Sequence, residues 1–358
     1  MEKLLTIAVP CYNAAWCLDK CLSSFLADPI PDALEVIVVN DGSTDGTLSI
    51  AKDYAARFPD IFRLIDKENG GHGSGINAAI KQAAGRYFAA VDADDWVLTE
   101  NIHTFLDVLS DTAADAIITH FHTVDMASGK RREYRTRDVT LNKTYTLKEF
   151  TSHTGDVYPC AVYHGLTYRT EVYRDSGAVL SEGIFYEDQE YATLPFISVK
   201  TVLPLDVFWY QYLIGNVDQS VSDKNLVGRL GQVEHVVRRI FRCFHDSHDS
   251  HDSHDSHDSP SVSDGAKRYI ARKATESLLY YYVAAMIKNP DKPGGRKLAA
   301  RLREELLEAE PELVRSVDSK FGMIKKMNRL RFSGKMLEFF KNPLPYSLYR
   351  KLFMKNRG

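Results

Sequence analysis

The sequence predicts an α/β fold: a mostly parallel sheet flanked by helices, followed by a C-terminal helical appendage. Two observations predict the sheet. The first 125 residues alternate short apolar runs with amphipathic stretches, and each run leads into a polar or glycine-rich loop. Strand–helix alternation at this spacing implies βαβ crossovers and parallel pairing, with helices on both faces. A third predicts the appendage: residues 266–288 and 295–308 have helical periodicity, and Pro290, Pro293 and Gly294–Gly295 break between them, so the second helix is expected to start nearer Arg296.

The expected strands, in order, are Leu4–Val9, Leu34–Val39, Ile61–Ile65, Tyr87–Val91 and Ala116–Phe121, with helices near 16–27, 45–57, 74–84 and 99–110. In such sheets ligands bind at the carboxyl ends of strands. The loops there are CYN (11–13), NDGSTDGT (40–47), DKENGGHGSG (66–75) and DADDW (92–96). Further on, DMASGK (125–130) reads as a hairpin turn and VKTVLPLDVFWYQY (199–212) as one or two strands. FYEDQEYATLPF (185–196) starts a short helix at an acidic pair. Residues 245–259 are five copies of His-Asp-Ser, which have no apolar side chain to bury and read as a mobile linker. Extended, the five histidines would share an edge fit for a soft divalent ion, but a perfect tandem repeat better suits a length-variable surface loop without a site. The expected organisation is a sheet domain over 1–222, a helix and linker over 223–265, and a basic-tailed helical region over 266–358.

At 358 residues, 44% hydrophobic and 26% charged, the chain is neither disordered nor fibrous. A net charge of −3 excludes a general nucleic-acid binder, but residues 320–358 carry 11 Lys/Arg against the single acid Glu338, leaving −13 for the rest. That basic segment is interspersed with apolar residues such as Phe321, Met327, Phe339 and Leu352. It suits docking on an anionic membrane surface, or packing on the sheet domain with its lysines in water. Five cysteines fit a reducing compartment, and no stretch approaches the roughly 18–20 apolar residues of a membrane span. The expected location is cytoplasmic, with peripheral contact at the inner membrane face.

Asp92, Asp94 and Asp95 follow the apolar run YFAAV, so they gather at one strand end. Carboxylates that close repel unless a cation or donors compensate, and hard divalent ions such as Mg²⁺ or Mn²⁺ take oxygen ligands. The same residues also serve as turn formers and helix caps. Asp41 carries the same ambiguity: turn chemistry, or an acceptor for a nucleobase or ribose. GGHGSG (70–75) fits an anion at a helix N-terminus, but Ile76 stands where the third glycine of a dinucleotide fingerprint falls, and no Lys-Ser/Thr follows as in a Walker A loop. Glu187–Asp188 opens a helix, either as a general base near a cleft or as a complement to the helix dipole. His120 and His122, like Cys17 and Cys21, lack the ligand count of a zinc site and read as structural.

Taken in order, TIAVPCYNAAWCLDKCLSSFL, EVIVVNDGSTDGT, GGHGSGINAAIKQAAGRYFAAVDADDW and FYEDQEY resemble the family 2 glycosyltransferases, which have a GT-A-type fold. The resemblance covers roughly residues 3–215, and QYLIGNVDQSVS (211–222) is similar to the family's closing segment. It implies that Pro10, Tyr12, Asn13 and Asp41 hold the nucleotide, most often uridine. It further implies that Asp92 and Asp94 hold Mn²⁺ or Mg²⁺ on the diphosphate, with Asp95 beside the donor sugar. Asp188 is implied as the base. Many members have an arginine in the third loop, where this chain offers His72 and Asn77. The implied reaction is inverting transfer of a sugar, from a UDP-sugar in the first instance, to a hydroxyl of a glycan or lipid-linked acceptor in cell-surface polysaccharide or glycoconjugate synthesis.

The chemistry agrees. A sugar diphosphate leaves poorly unless its developing charge is neutralised, and an acceptor hydroxyl attacks poorly until a carboxylate takes its proton. A nucleotidyltransferase on a similar fold needs a basic glycine-rich loop near its first strand, yet PCYNAAWC (10–17) has no glycine, Arg or Lys. A non-catalytic binding or scaffold protein on this fold would show loss of Asp94 or Asp188, and both are present. A metal-binding role centred on the His-Asp-Ser repeats is a third reading, separated by deleting 245–259 and measuring transfer.

Overall fold

The computed structural model describes residues 2–215, 222–249 and 262–334. They form two compact units, one drawn from 2–215 and 262–270, the other from 222–249 and 271–334.

The first unit is built on a ten-stranded sheet. Its strands are β1 (Leu5–Cys11), β2 (Leu34–Asp41), β3 (Phe62–Lys67), β4 (Tyr87–Ala90), β5 (Trp96–Val97), β6 (Ala116–Asp125), β7 (Arg131–Tyr134), β8 (Tyr145–Thr146), β9 (Leu166–Arg169) and β10 (Thr201–Ile214). The order is β3-β2-β1-β4-β9-β6-β10-β5, with β7 beside β6 and β8 beside β10. Strands β1–β4, β6 and β10 run one way; β5, β7, β8 and β9 oppose them. Every residue of β1 and β2 is buried, as expected of central strands covered on both faces, whereas β3 at the edge is largely accessible.

Helices α1 (Leu18–Ser23), α2 (Thr47–Arg57), α3 (His72–Gln82), α4 (Ile102–Asp111), α5 (Leu147–Ser152), α6 (Thr170–Asp175) and α7 (Asp188–Tyr191) belong to this unit. Each helix expected in the first 125 residues is present. α3 packs on β1 and β2, and a Cβ on its Gly75 would lie 2.8 Å from Pro10 Cβ, so glycine lets the helix approach the strand. The DMASGK turn joins β6 to β7, with Asp125 Oδ1 accepting from Ser128 N at 2.8 Å and Gly129 at φ +67. Residues 201–214 form one long strand. Its register shifts between Pro204 and Phe208 and again before Tyr210, which accommodates a proline that cannot donate to the ladder.

The second unit is helical: α8 (Asp223–Gly228), α9 (Leu230–Asp249), α10 (Asp264–Val283, from 271 onward), a π turn at Ala284–Lys288, α11 (Lys292–Ala309), α12 (Pro311–Arg315) and α13 (Asp318–Arg329). Val233, Val237, Leu278, Tyr281, Leu302 and Ile324 form its interior. The buried Glu234 carboxylate accepts from Tyr281 OH at 2.8 Å and Arg301 at 2.6 Å. Two expectations need correction here. α11 starts at Lys292, not near Arg296: the Asp291 carboxylate caps Gly294 N at 2.9 Å, and Pro293 sits in the first turn, where a missing N–H costs nothing. Gly295 does not break the helix, because a Cβ there would fall 1.8 Å from Ala285 O and glycine makes that contact possible. α9 also runs on to Asp249, so the first His-Asp-Ser copy is helical, with His245 Nδ1 2.8 Å from Glu310 Oε1. Repeats beyond 249, part of the 211–222 segment and the tail past 334 lie outside the described residues.

Candidate active site

Asp41 ends β2 and is buried. Lys67 Nζ donates to its Oδ1 at 2.6 Å, and Gly70 N and Gly71 N donate to Oδ1 and Oδ2 at 3.0 and 2.8 Å. The anion cradled by the glycine-rich loop is thus the chain's own Asp41, and the donors expected to meet a nucleotide or phosphate are turned inward onto it. The glycines have a second use. Gly71 has φ +86, and a Cβ on it would lie 2.8 Å from Gly183 N; one on Gly73 would lie 2.3 Å from Ser181 O. Small residues let segment 180–187 lie against the start of α3. Asn77 holds the same segment: its amide donates to Leu180 O and Glu182 Oε1 at 2.9 and 3.0 Å and accepts from Leu180 N at 2.9 Å. Buried, with both N–H groups engaged, Asn77 positions this segment and offers no donor group to a nucleotide.

In the first loop, Pro10 is buried within β1, while the ring of Tyr12 is 55% exposed and open to stacking. Asn13 adopts φ +49, donates from its backbone to Ser43 Oγ at 3.0 Å and accepts from Thr44 N at 2.8 Å. It ties the first loop to the second.

After β4 the chain turns, with Asp95 N donating to Asp92 O at 3.0 Å. That turn brings residues 92 and 95 together, and their carboxylates lie with a ring nitrogen of His164 inside a 4.8 Å cluster. The pairing implied by the resemblance is Asp92 with Asp94; the trio that converges is Asp92, Asp95 and His164. Burial and the neighbouring Asp92 charge push Asp94 up to about 6. Asp95 too is held well above the usual carboxylate range, by burial and then by the charges of Asp92 and Asp94, although Tyr210 OH and Leu213 N each donate to it at 2.6 Å. Burial lowers His164 to about 4, so its imidazole is neutral and its nitrogen can ligate. Two carboxylates and one neutral imidazole, among acids that raise one another's pKa, form a donor set that fits Mn²⁺ or Mg²⁺.

His72 opens α3 and bridges two acids: Nε2 is 2.9 Å from Asp92 Oδ1, and Nδ1 is 2.6 Å from Glu187 Oε1. Burial opposes its charge, but Asp92 and the two hydrogen bonds prevail and hold its pKa well above the usual histidine range. Burial likewise raises Asp92, and His72 more than offsets this and lowers it. Within the Glu187–Asp188 pair the roles separate. Glu187 is buried and tied to His72; its other oxygen, Oε2, is also buried and has no partner. Asp188 keeps solvent access although protein surrounds it, and that partial desolvation, followed by the charges of Glu187 and Asp92, pushes it up to about 7. Tyr186, just before the pair, has φ +74, a costly conformation for a bulky residue.

The reading of motifs missed His164 and its neighbours Tyr163 and Tyr210. His164 lies in AVYHGLTYR, with no acidic cluster or glycine loop around it, and joins the site only through the short 3₁₀ turn Tyr163–Gly165 before β9. Lys67, within the DKENGGHGSG loop, was missed as well; its partner Asp41 stands 26 residues earlier.

Comparison with known proteins gives a consistent result. A model of "Glycosyl transferase family 2" matches residues 6–174. The chain is 31% identical over 222 residues to the uncharacterized glycosyltransferase MG025 homolog of Mycoplasma pneumoniae, covering 60% of this chain and 69% of that protein. It is 31% identical over 216 residues to the uncharacterized glycosyltransferase EpsJ of Bacillus subtilis, covering 59% of this chain but less than two thirds (61%) of EpsJ. Among solved structures, S. aureus TarS 1–349 in complex with UDP-GlcNAc is similar with a TM-score of 0.58 and 18% identity, over 92% of both chains. This last likeness is one of fold.

Proposed function

Because the chain belongs to glycosyl transferase family 2, we propose that it moves a sugar from a UDP-sugar to an acceptor hydroxyl with inversion, aided by Mn²⁺ or Mg²⁺. The observation that carries the reading is the state of Asp188. It is the accessible member of its pair, and a carboxyl held at about 7 is half deprotonated at neutral pH and strong enough to accept a hydroxyl proton as attack proceeds. Attack from the face opposite the departing diphosphate inverts the anomeric centre. Asp92, Asp95 and His164 would hold the divalent ion, which when bound neutralises charge on the diphosphate. His72 joins the ion-binding acid to Glu187 and so fixes the distance between donor site and base. Tyr12 offers its exposed ring to the nucleobase, and Asn13 holds the loop that carries it. The acceptor is proposed to be a glycan or lipid-linked intermediate of surface polysaccharide or glycoconjugate synthesis, approached from the inner membrane face through the basic segment 320–358.

A screen of UDP-sugars, with UDP-GlcNAc first, tests the reading by donor hydrolysis and thermal stabilisation with and without Mn²⁺. Metal-dependent stabilisation by one donor is expected. Full activity in excess EDTA sinks the metal assignment, and stabilisation by triphosphates with pyrophosphate release favours the nucleotidyltransferase alternative.

A further inference from the structure

The helical unit pairs many of its cations. Lys288 lies 2.9 Å from Asp223, Arg301 2.6 Å from Glu234 and Arg238 2.6 Å from Glu305, while Arg303 pairs with Asp318. Four cations outside these pairs gather at one place. Arg296 and Lys297 of α11, with Lys325 and Arg329 of α13, line one cavity of about 310 Å³ whose lining includes no acid. None of the four has an ion-pair partner among the described residues. Met286, Pro293 and Phe321 give the cavity an apolar wall.

The cavity is built, not merely decorated. Asn328 is fully buried; its Oδ1 accepts from Arg296, and its amide donates to the carbonyls of Met286 and Lys292. A guanidinium fixed by a buried side chain is preorganised for the oxygens of a phosphate. Four like charges around one cavity repel until an anion joins them. Free phosphate would meet that need but leave the apolar wall in water, together with Leu330, which is 71% exposed directly after Arg329. An anionic lipid satisfies both, with its headgroup among the cations and apolar surface against the wall.

We propose that this groove seats the phosphate headgroup of an anionic lipid at a membrane surface. The proposal rests on the membrane approach given above and moves its centre from the tail to α11 and α13. No helix among the described residues is long and apolar enough to cross a membrane, so the contact is peripheral.

The test uses the full chain and sedimentation with phosphatidylglycerol/phosphatidylcholine vesicles against phosphatidylcholine alone. Wild type should bind only the anionic vesicles, and less at high salt. R296Q/K297Q/K325Q/R329Q should bind on the order of 10²–10³-fold more weakly. K297Q/K325Q, which alters two exposed side chains and leaves Arg296–Asn328 intact, should lose about tenfold and guards against misfolding of the first variant. A charge-matched control, K52Q/K81Q/K130Q/K200Q, should bind like wild type. An equal loss in the control, or wild-type binding by K297Q/K325Q, overturns the proposal. So does a rise in melting temperature with inorganic phosphate in a protein that ignores anionic vesicles. Donor binding measured without vesicles separates this failure from failure of the catalytic reading.

Discussion

Asp41 and Asp95 both stand at carboxyl ends of the central sheet in short acidic loops, and in sequence they look alike. Their surroundings differ. Asp41 meets an ammonium and two backbone N–H groups, all from its own chain. Asp95 receives two donors but also faces Asp92 and Asp94, whose charges oppose its ionisation. The first loop is electrostatically finished when the chain folds; in the second, His72 answers Asp92, but Asp95 still faces the opposing charges of Asp92 and Asp94. What distinguishes the two acids is a cation bonded to the carboxylate: Lys67 at Asp41, and none at Asp95 among the described residues. Asp188 belongs with Asp95: the charge of His72 lowers it, but burial and the charges of Glu187 and Asp92 outweigh that and push it up.

The largest test of that contrast is Asp188→Asn. It should keep donor binding and lose transfer by about 10²–10⁴-fold, the range for removing a general base. In the wild type kcat should rise about tenfold per pH unit below 7 and level off above, because the raised carboxyl is protonated, and so inactive as a base, on the acid side. If Glu187→Gln proves far worse than Asp188→Asn in kcat with donor binding unchanged, the roles within the pair are reversed.

Next in size is the metal group. Removing His164 as His164→Ala should weaken apparent Mn²⁺ affinity, read by donor-dependent thermal stabilisation, by about 10–100-fold. Asp95→Asn should match it. Should Asp94→Asn be the more damaging of the two aspartate changes, the ion sits between Asp92 and Asp94, and the converging trio of Asp92, Asp95 and His164 is wrong.

The sheet was legible because β1, β2, β4 and β6 are apolar runs bounded by polar loops, a pattern that depends on near neighbours alone. The acidic loop and the Glu-Asp pair were legible for the same reason. Partnerships were not. Asp41 and Lys67 meet because β2 and β3 are adjacent and parallel, with Asp41 in register with Lys67. His72 and Glu187 meet across 115 positions because Gly71 and Gly73, at the start of α3, let segment 180–187 close over it. His164 reaches Asp92 from a turn with no motif of its own. The glycines at 294 and 295 misled for a related reason: Asp291 and Ala285, outside the glycine pair, decide whether they break or join a helix.

A smaller effect, and one of a different kind, is expected at Asp41. Asp41→Asn removes the charge that Lys67 and the two glycine N–H groups answer, leaving an ammonium 27% exposed without its counter-ion. Stability should fall by about 3 kcal/mol, measured by urea unfolding, while apparent Mn²⁺ affinity stays within about threefold of wild type. A large loss of metal affinity with unchanged stability would erase the distinction between the two loops.

Ser74→Ala is the finest probe of the same loop. Ser74 Oγ accepts from Lys67 Nζ at 2.8 Å and lies 3.4 Å from Asp41 Oδ1, too long for a strong bond. Its hydroxyl therefore supports the cation more than the carboxylate. Removing it leaves Asp41 with Lys67, Gly70 and Gly71, and leaves Lys67 with Asp41 and the carbonyl of Glu68 at 2.6 Å. Since no buried group is left without a partner, the cost should be that of one hydrogen bond, about 1 kcal/mol, with kcat and donor affinity unchanged. A loss as large as that of Asp41→Asn would mean that the serine, not the backbone of the glycine loop, holds the ion pair together. The fold would then finish this loop through a side chain that substitution can remove, and not through amides that every residue but proline supplies.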